Sequence, residues 1–148
     1  MSNVTIRHGK ATIRVEGFAE ILKKLNAAGG NAAEAAKDTF DAATPRILAK
    51  SQSLVPTETG ALKASGRRSN ARQSKKGVIT ASVSYGGPPL DRRSGRSNDL
   101  RAIVVHEDTS MKHPGGGEAK FLERPFLEEK EAVMNELHNK VRAALDKL

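Results

Sequence analysis

The residues from Ala32 to Leu54 constrain this chain more than any other stretch. Ala33, Ala36, Phe40, Ala43, Ile47 and Leu54 recur at alternating steps of three and four, which places them on one stripe of an α-helix. Lys50 interrupts that stripe. Most of its members are alanines, so a partner backbone can approach closely. Pro45 lies inside the run and either kinks the helix or divides it, with Thr44 capping the second piece; one kinked helix is the favoured reading. The run then closes on Val55-Pro56-Thr57-Glu58-Thr59-Gly60-Ala61-Leu62-Lys63. Pro56 cannot continue a helix and biases Val55 towards extended geometry, while Gly60 admits a turn that other residues resist.

The flanking segments supply the rest of the fold. Val4 to Arg7 and Ala11 to Glu16 alternate apolar and polar residues, as in a short hairpin or one bent strand. Phe18, Ile21, Leu22 and Leu25 predict a short helix to about Ala28. Gly29-Gly30 stops it, and Asn31 is a suitable N-cap for the long helix. Ala61 to Ser65 is too short to assign. Arg67 to Gln73 and Val78 to Tyr85 flank Ser74-Lys75-Lys76-Gly77 and predict a β-hairpin, with Ile79, Ala81, Val83 and Tyr85 facing the core. Residues 86–101 read as a long loop and residues 109–118 as a second. Ala102 to His106, with three consecutive β-branched residues, reads as a buried strand. Pro125 fits the first turn of a C-terminal helix whose stripe is Phe126, Val133, Leu137, Val141, Ala144 and Leu148. Glu128, Glu129 and Glu131 load its start and Lys140, Arg142 and Lys147 its end, as the macrodipole prefers. With 148 residues, the chain is expected to form a single domain.

Charge is unevenly placed. Ten basic residues between Lys63 and Arg101 face two acidic ones, which accounts for the whole net charge of +8; the remainder is balanced. Phosphate contact that weakens with salt is the chemistry such a segment offers. Tyr85 is its one aromatic residue, so base stacking and sequence reading are not implied. A solvated segment that orders against an acidic protein is the alternative. Only 3% of the chain is aromatic, so the core rests on Ala, Leu, Ile and Val, and oligomerisation is a natural support for it.

Other chemistries find little footing. There is no cysteine for a disulfide, a thiolate nucleophile or a thiolate metal site. The four histidines lack helical ligand spacing, and ordinary surface positions suit them best. Residues 115–117 are glycines followed by Glu-Ala-Lys, which is not a nucleotide-binding phosphate loop. There is no Gly-x-Ser-x-Gly elbow, and no enzyme, cofactor or metal is expected. No apolar run reaches the length of a signal sequence or a membrane span, so no membrane association is expected.

The Val-Pro-x-x-Thr-Gly-x-Leu-Lys turn, the basic hairpin and the late Phe121-Leu122-Glu123-Arg124-Pro125-Phe126-Leu127 run occur in an order that resembles one family. It is the tail-completion, or head–tail joining (neck), proteins of long-tailed bacteriophages, and the resemblance spans roughly Phe18 to the C-terminus. It implies an α+β fold, a small antiparallel β-sheet packed against a long helix and a C-terminal helix. It also implies a virion protein made in the host cytoplasm. Such a protein is a subunit of a homo-oligomeric ring that contacts other neck, connector and tail-tube proteins, with double-stranded DNA passing. Pro56, Thr59, Gly60, Leu62, Phe121, Pro125 and Phe126 would be its structural motif, and Lys75, Lys76, Arg92, Arg93 and Arg96 would face a DNA channel or an adjoining ring. The arginine-rich loop and residues 109–118 are longer than the family pattern. A stand-alone basic nucleic-acid-binding protein is the competing class.

Overall fold

The computed structural model describes residues 2–7, 10–15, 31–57, 60–87 and 98–147. Helix α1 runs from Ala32 to Leu54, unbroken through Pro45. Its buried face is Ala32, Ala33, Ala36, Thr39, Phe40, Ala43, Thr44, Ile47 and Ser51. Ser51, not Lys50, continues the stripe. Asn31 precedes the helix but makes no side-chain cap; its carbonyl instead accepts the Ala35 N–H at 2.9 Å.

Strands β1 (Ser2–Arg7) and β2 (Lys10–Val15) pair antiparallel, which selects the hairpin over a single bent strand. Strand β2 lies against β5 (Ile79–Ser84), and β5 carries the short strands β3 (Arg67–Arg68) and β4 (Arg72–Gln73) on its other side. The order is β1-β2-β5-β3, with β4 also on β5. Between Arg68↔Val83 and Arg72↔Thr80 three residues on one strand face two on the other, so one extra residue forms a bulge. Asp41 of α1 anchors it, its carboxylate accepting the Ala71 N–H at 2.6 Å. Ile79, Ala81, Val83 and Tyr85 are all buried, as the alternation requires.

Two more helices precede the last one. Helix α2 (Ala61–Ala64) settles the segment too short to assign from sequence. Helix α3 spans Asn98–Glu107, where a strand over Ala102–His106 and a loop reaching residue 101 were expected. Ala102, Val105 and His106 are buried while Val104 is 39% exposed, the spacing of one helical face. Three β-branched residues favour a strand only when both faces find partners, and here packing on one side decides. The expected helix from Phe18 to Ala28 lies outside the described residues.

Helix α4 (Glu123–Leu145) packs along α1, and α1 in turn covers β5. Phe126, Val133, Leu137 and Val141 are its buried stripe, with Ala144 half-buried. Pro125 sits in the first turn, where its missing N–H costs nothing. A small antiparallel sheet against a long helix and a C-terminal helix is therefore the α+β arrangement expected.

Glu129 departs from its expected role as a helix-start charge. It is 8% exposed and holds Lys50 Nζ at 2.6 Å and Arg46 Nε at 3.1 Å. Arg46 also reaches Glu136 at 3.0 Å, so three ion pairs tie the polar edge of α1 to α4. The Lys50 hydrogen bond, aided by Arg46, holds the Glu129 carboxyl below the usual range although burial opposes this.

Candidate functional site

Residues far apart in sequence meet at the C-terminal end of α1. Val55 leaves the helix in extended geometry, its N–H still bonded to the Ser51 carbonyl at 3.0 Å. Gly60 is left-handed (φ 73°), and its carbonyl accepts the Ala64 N–H, so it opens α2 and buries Leu62. The glycine-rich loop docks onto this turn. Glu118 N–H caps the Leu54 carbonyl at 2.8 Å and the Thr57 hydroxyl donates to the Gly115 carbonyl at 3.1 Å. Gly117 lies so close that a Cβ there would sit 2.5 Å from Pro56 Cα. The loop's glycines thus serve close backbone approach.

Phe121 and Leu122 follow directly and are both buried. Phe121 stands edge-on to Tyr85 and to His106, with ring centroids 5.1 Å apart in each case. His106 was expected at the surface; it is 3% exposed and joins α3 to α4. Its Nε2 accepts the Glu123 N–H at 3.3 Å, so the proton of the neutral ring is on Nδ1, 2.8 Å from Glu107 Oε1. The His106 carbonyl accepts Lys120 N–H at 2.8 Å. Lys120 Nζ bridges Glu107 at 2.6 Å and Glu123 at 3.2 Å. That hydrogen bond, with the one from His106, pulls the Glu107 carboxyl down, and Glu107 raises Lys120 in return.

Pro56, Gly60, Leu62, Phe121, Pro125 and Phe126 therefore frame one structural junction between α1, α2, α3 and α4; Thr59 lies outside the described residues. A cleft of about 510 Å³ opens beside it between Pro56-Thr57 and residues 111–116, floored by Leu62 and Val105. His113 Nε2 is buried there without a hydrogen-bond partner. Among the described residues no three His, Cys, Asp or Glu converge for a metal ion. Among them, no helix is long and apolar enough to cross a membrane.

The basic candidates separate. Lys75 and Lys76 are exposed at the tip of the β4–β5 hairpin, where Gly77 N–H closes the turn on the Ser74 carbonyl. Arg92, Arg93 and Arg96 lie outside the described residues. Sequence reasoning missed the buried pairing of Glu129 and the junction role of His106. A buried-face position (His106 one turn from Ala102) was the available signal for the second. Against protein-family models, curated proteins and solved structures alike, the chain finds no match.

Proposed function

We propose that this chain is a structural protein of a bacteriophage neck or proximal tail, a ring subunit that completes the tail and joins it to the DNA-filled head. One observation carries the reading. Val55 and Leu62 of the Val55–Leu62 motif and Phe121, Leu122 and Phe126 of the Phe121–Leu127 motif, the two that suggested the family, belong to one buried core, while Leu127 is exposed. The glycine-rich loop clamps the first motif. A sequence signature whose parts pack on each other describes a scaffold, and a ring subunit needs a rigid scaffold from which loops and edges reach its neighbours. In this reading the subunit sits in the virion and contacts copies of itself and of other neck, connector and tail-tube proteins.

The experiment is deletion of the gene from a phage that encodes it. Filled heads beside unjoined or abnormal tails are the expected outcome, and normal joined particles would sink the proposal. Native mass spectrometry and negative-stain images of the purified protein, alone and with tail tubes, report ring formation directly. A stand-alone nucleic-acid-binding protein would instead remain monomeric and leave particle joining unaffected.

A further inference from the structure

We infer that the cleft between Pro56-Thr57 and residues 111–116 receives the Leu127 side chain of a second copy of this chain, so that these two surfaces form a contact between subunits. Among the described residues four large apolar side chains are exposed: Val104, Met111, Leu127 and Met134. Apolar residues scattered singly over a surface need no explanation. Three of these four, however, belong to two organised surfaces. Met111 lines the cleft, whose floor is Leu62 and Val105. Leu127, 56% exposed, and Met134 lie seven residues apart on α4, two turns along one stripe outside the buried one.

The two surfaces complement each other in shape and charge. A cleft of about 510 Å³ falls in the range that seats compact ligands, about 300–1,000 Å³, so it has room for a leucine and its neighbours. Its floor is apolar, and its rim carries Lys112, which is exposed and has no ion pair among the described residues. On α4, Glu131 stands between Leu127 and Met134, one turn from each, and it too is exposed without an ion pair among the described residues. The acidic residues nearby are already engaged: Glu123 by Lys120, Glu128 by Arg124, and Glu129 by Lys50 and Arg46. Lys130 stands on the flank of the stripe. A leucine beside one free carboxylate thus matches an apolar cleft with one free cation at its rim. Methionine is enriched at protein interfaces, and each surface supplies one.

Both halves of the match are carried by one chain, so a second copy brings the complement of each. The cleft and the stripe are made of different residues, which makes the contact heterologous. The leucine of one subunit enters the cleft of the next, and a free leucine and a free cleft remain at the two ends. Repetition closes into a ring where the rotation between subunits permits. The inference deepens the ring reading and rests on it for closure; the contact itself needs neither a tail nor DNA.

The chain has no cysteine, so Met111→Cys and Leu127→Cys, both at exposed positions, each place a single thiol on one of the two surfaces. The two single variants are mixed, treated with a short-spacer bismaleimide and read by intact mass. The expected product is the mixed dimer, and the double variant Met111→Cys/Leu127→Cys is expected to give a ladder of higher multimers. Sedimentation supplies a second arm, in which Leu127→Asp weakens self-association about tenfold or more. Lys112→Glu and Glu131→Lys are each expected to weaken it about fivefold. The double charge variant restores opposite charges across every contact and is expected to return to within about twofold of wild type. Leu127→Cys linked to itself in equal yield would mean that stripe meets stripe and would overturn the inference. So would a wild-type chain that stays monomeric and gives no mixed dimer, or a double charge variant no better than the singles. Circular dichroism verifies that the variants are folded. The deletion phenotype tests the neck reading by itself. Rings that survive Leu127→Asp, or a monomeric chain whose deletion still leaves tails unjoined, therefore overturn this contact alone.

Discussion

At the scale of single residues, two glycines with positive φ make different demands. A Cβ added at Gly60 (φ 73°) would meet no atom within 4 Å, so Gly60→Ala incurs only the left-handed backbone penalty, about 1 kcal/mol. Gly117 (φ 98°) adds a collision with the Pro56 backbone and the Leu54 carbonyl, so Gly117→Ala is expected to cost about 3 kcal/mol or more. Urea denaturation of both variants checks the order; equal losses would show that the loop does not press on the turn. Tyr85 presents the opposite case. Its ring is buried beside Phe121, but its hydroxyl has no hydrogen-bond partner, and burial pushes the phenol up to about 12. The nearby Ser51 hydroxyl offsets part of that rise without completing a bond of its own. Tyr85→Phe keeps the edge-on contact and removes the orphan group, so it is expected to raise stability by up to about 1 kcal/mol. A lower thermal midpoint in this variant would contradict that account.

At the scale of elements, the α1–α4 pair is fixed by an apolar stripe and a charged edge. The two helices pack along each other, and Glu129 sits within reach of both Arg46 and Lys50. Because Glu129 titrates lower in the folded state than in the unfolded chain, its contribution is fully present above the ordinary carboxylate range. It is lost as pH falls through that range towards the depressed folded value. Glu129→Gln is expected to cost about 1–3 kcal/mol at pH 7, Arg46 and Lys50 being partly solvated. The gap from wild type should narrow as the pH is lowered to about 3. Denaturant midpoints at several pH values measure this, and a gap that stays constant would remove Glu129 from the helix pairing. Element types in this pair were legible in the sequence because long helical stripes are periodic over many turns. Helix α3 was not legible, since ten residues give fewer than three turns of pattern and its β-branched run suggests a strand.

At the scale of the whole molecule, the last helix closes a core that the first half of the chain cannot complete. Phe121 touches Tyr85 after β5 and His106 at the end of α3, so it joins the sheet to the helical side. Phe121→Ala is expected to cost about 3–5 kcal/mol and to lower the cooperativity of thermal unfolding. A variant that unfolds as sharply as wild type, near the same temperature, would show the junction to be peripheral. The sequence by itself determined the long helix, the β4–β5 hairpin with its buried alternation, and the C-terminal helix. Each is encoded in a local period or a Pro and Gly boundary. It also marked the two motifs, though not their meeting. Tertiary structure alone decided that the Glu118 N–H caps α1 and that His106 and Glu129 are buried and partnered. Those outcomes depend on which strand and helix surfaces pair, and pairing is a contact between distant residues that no local period records.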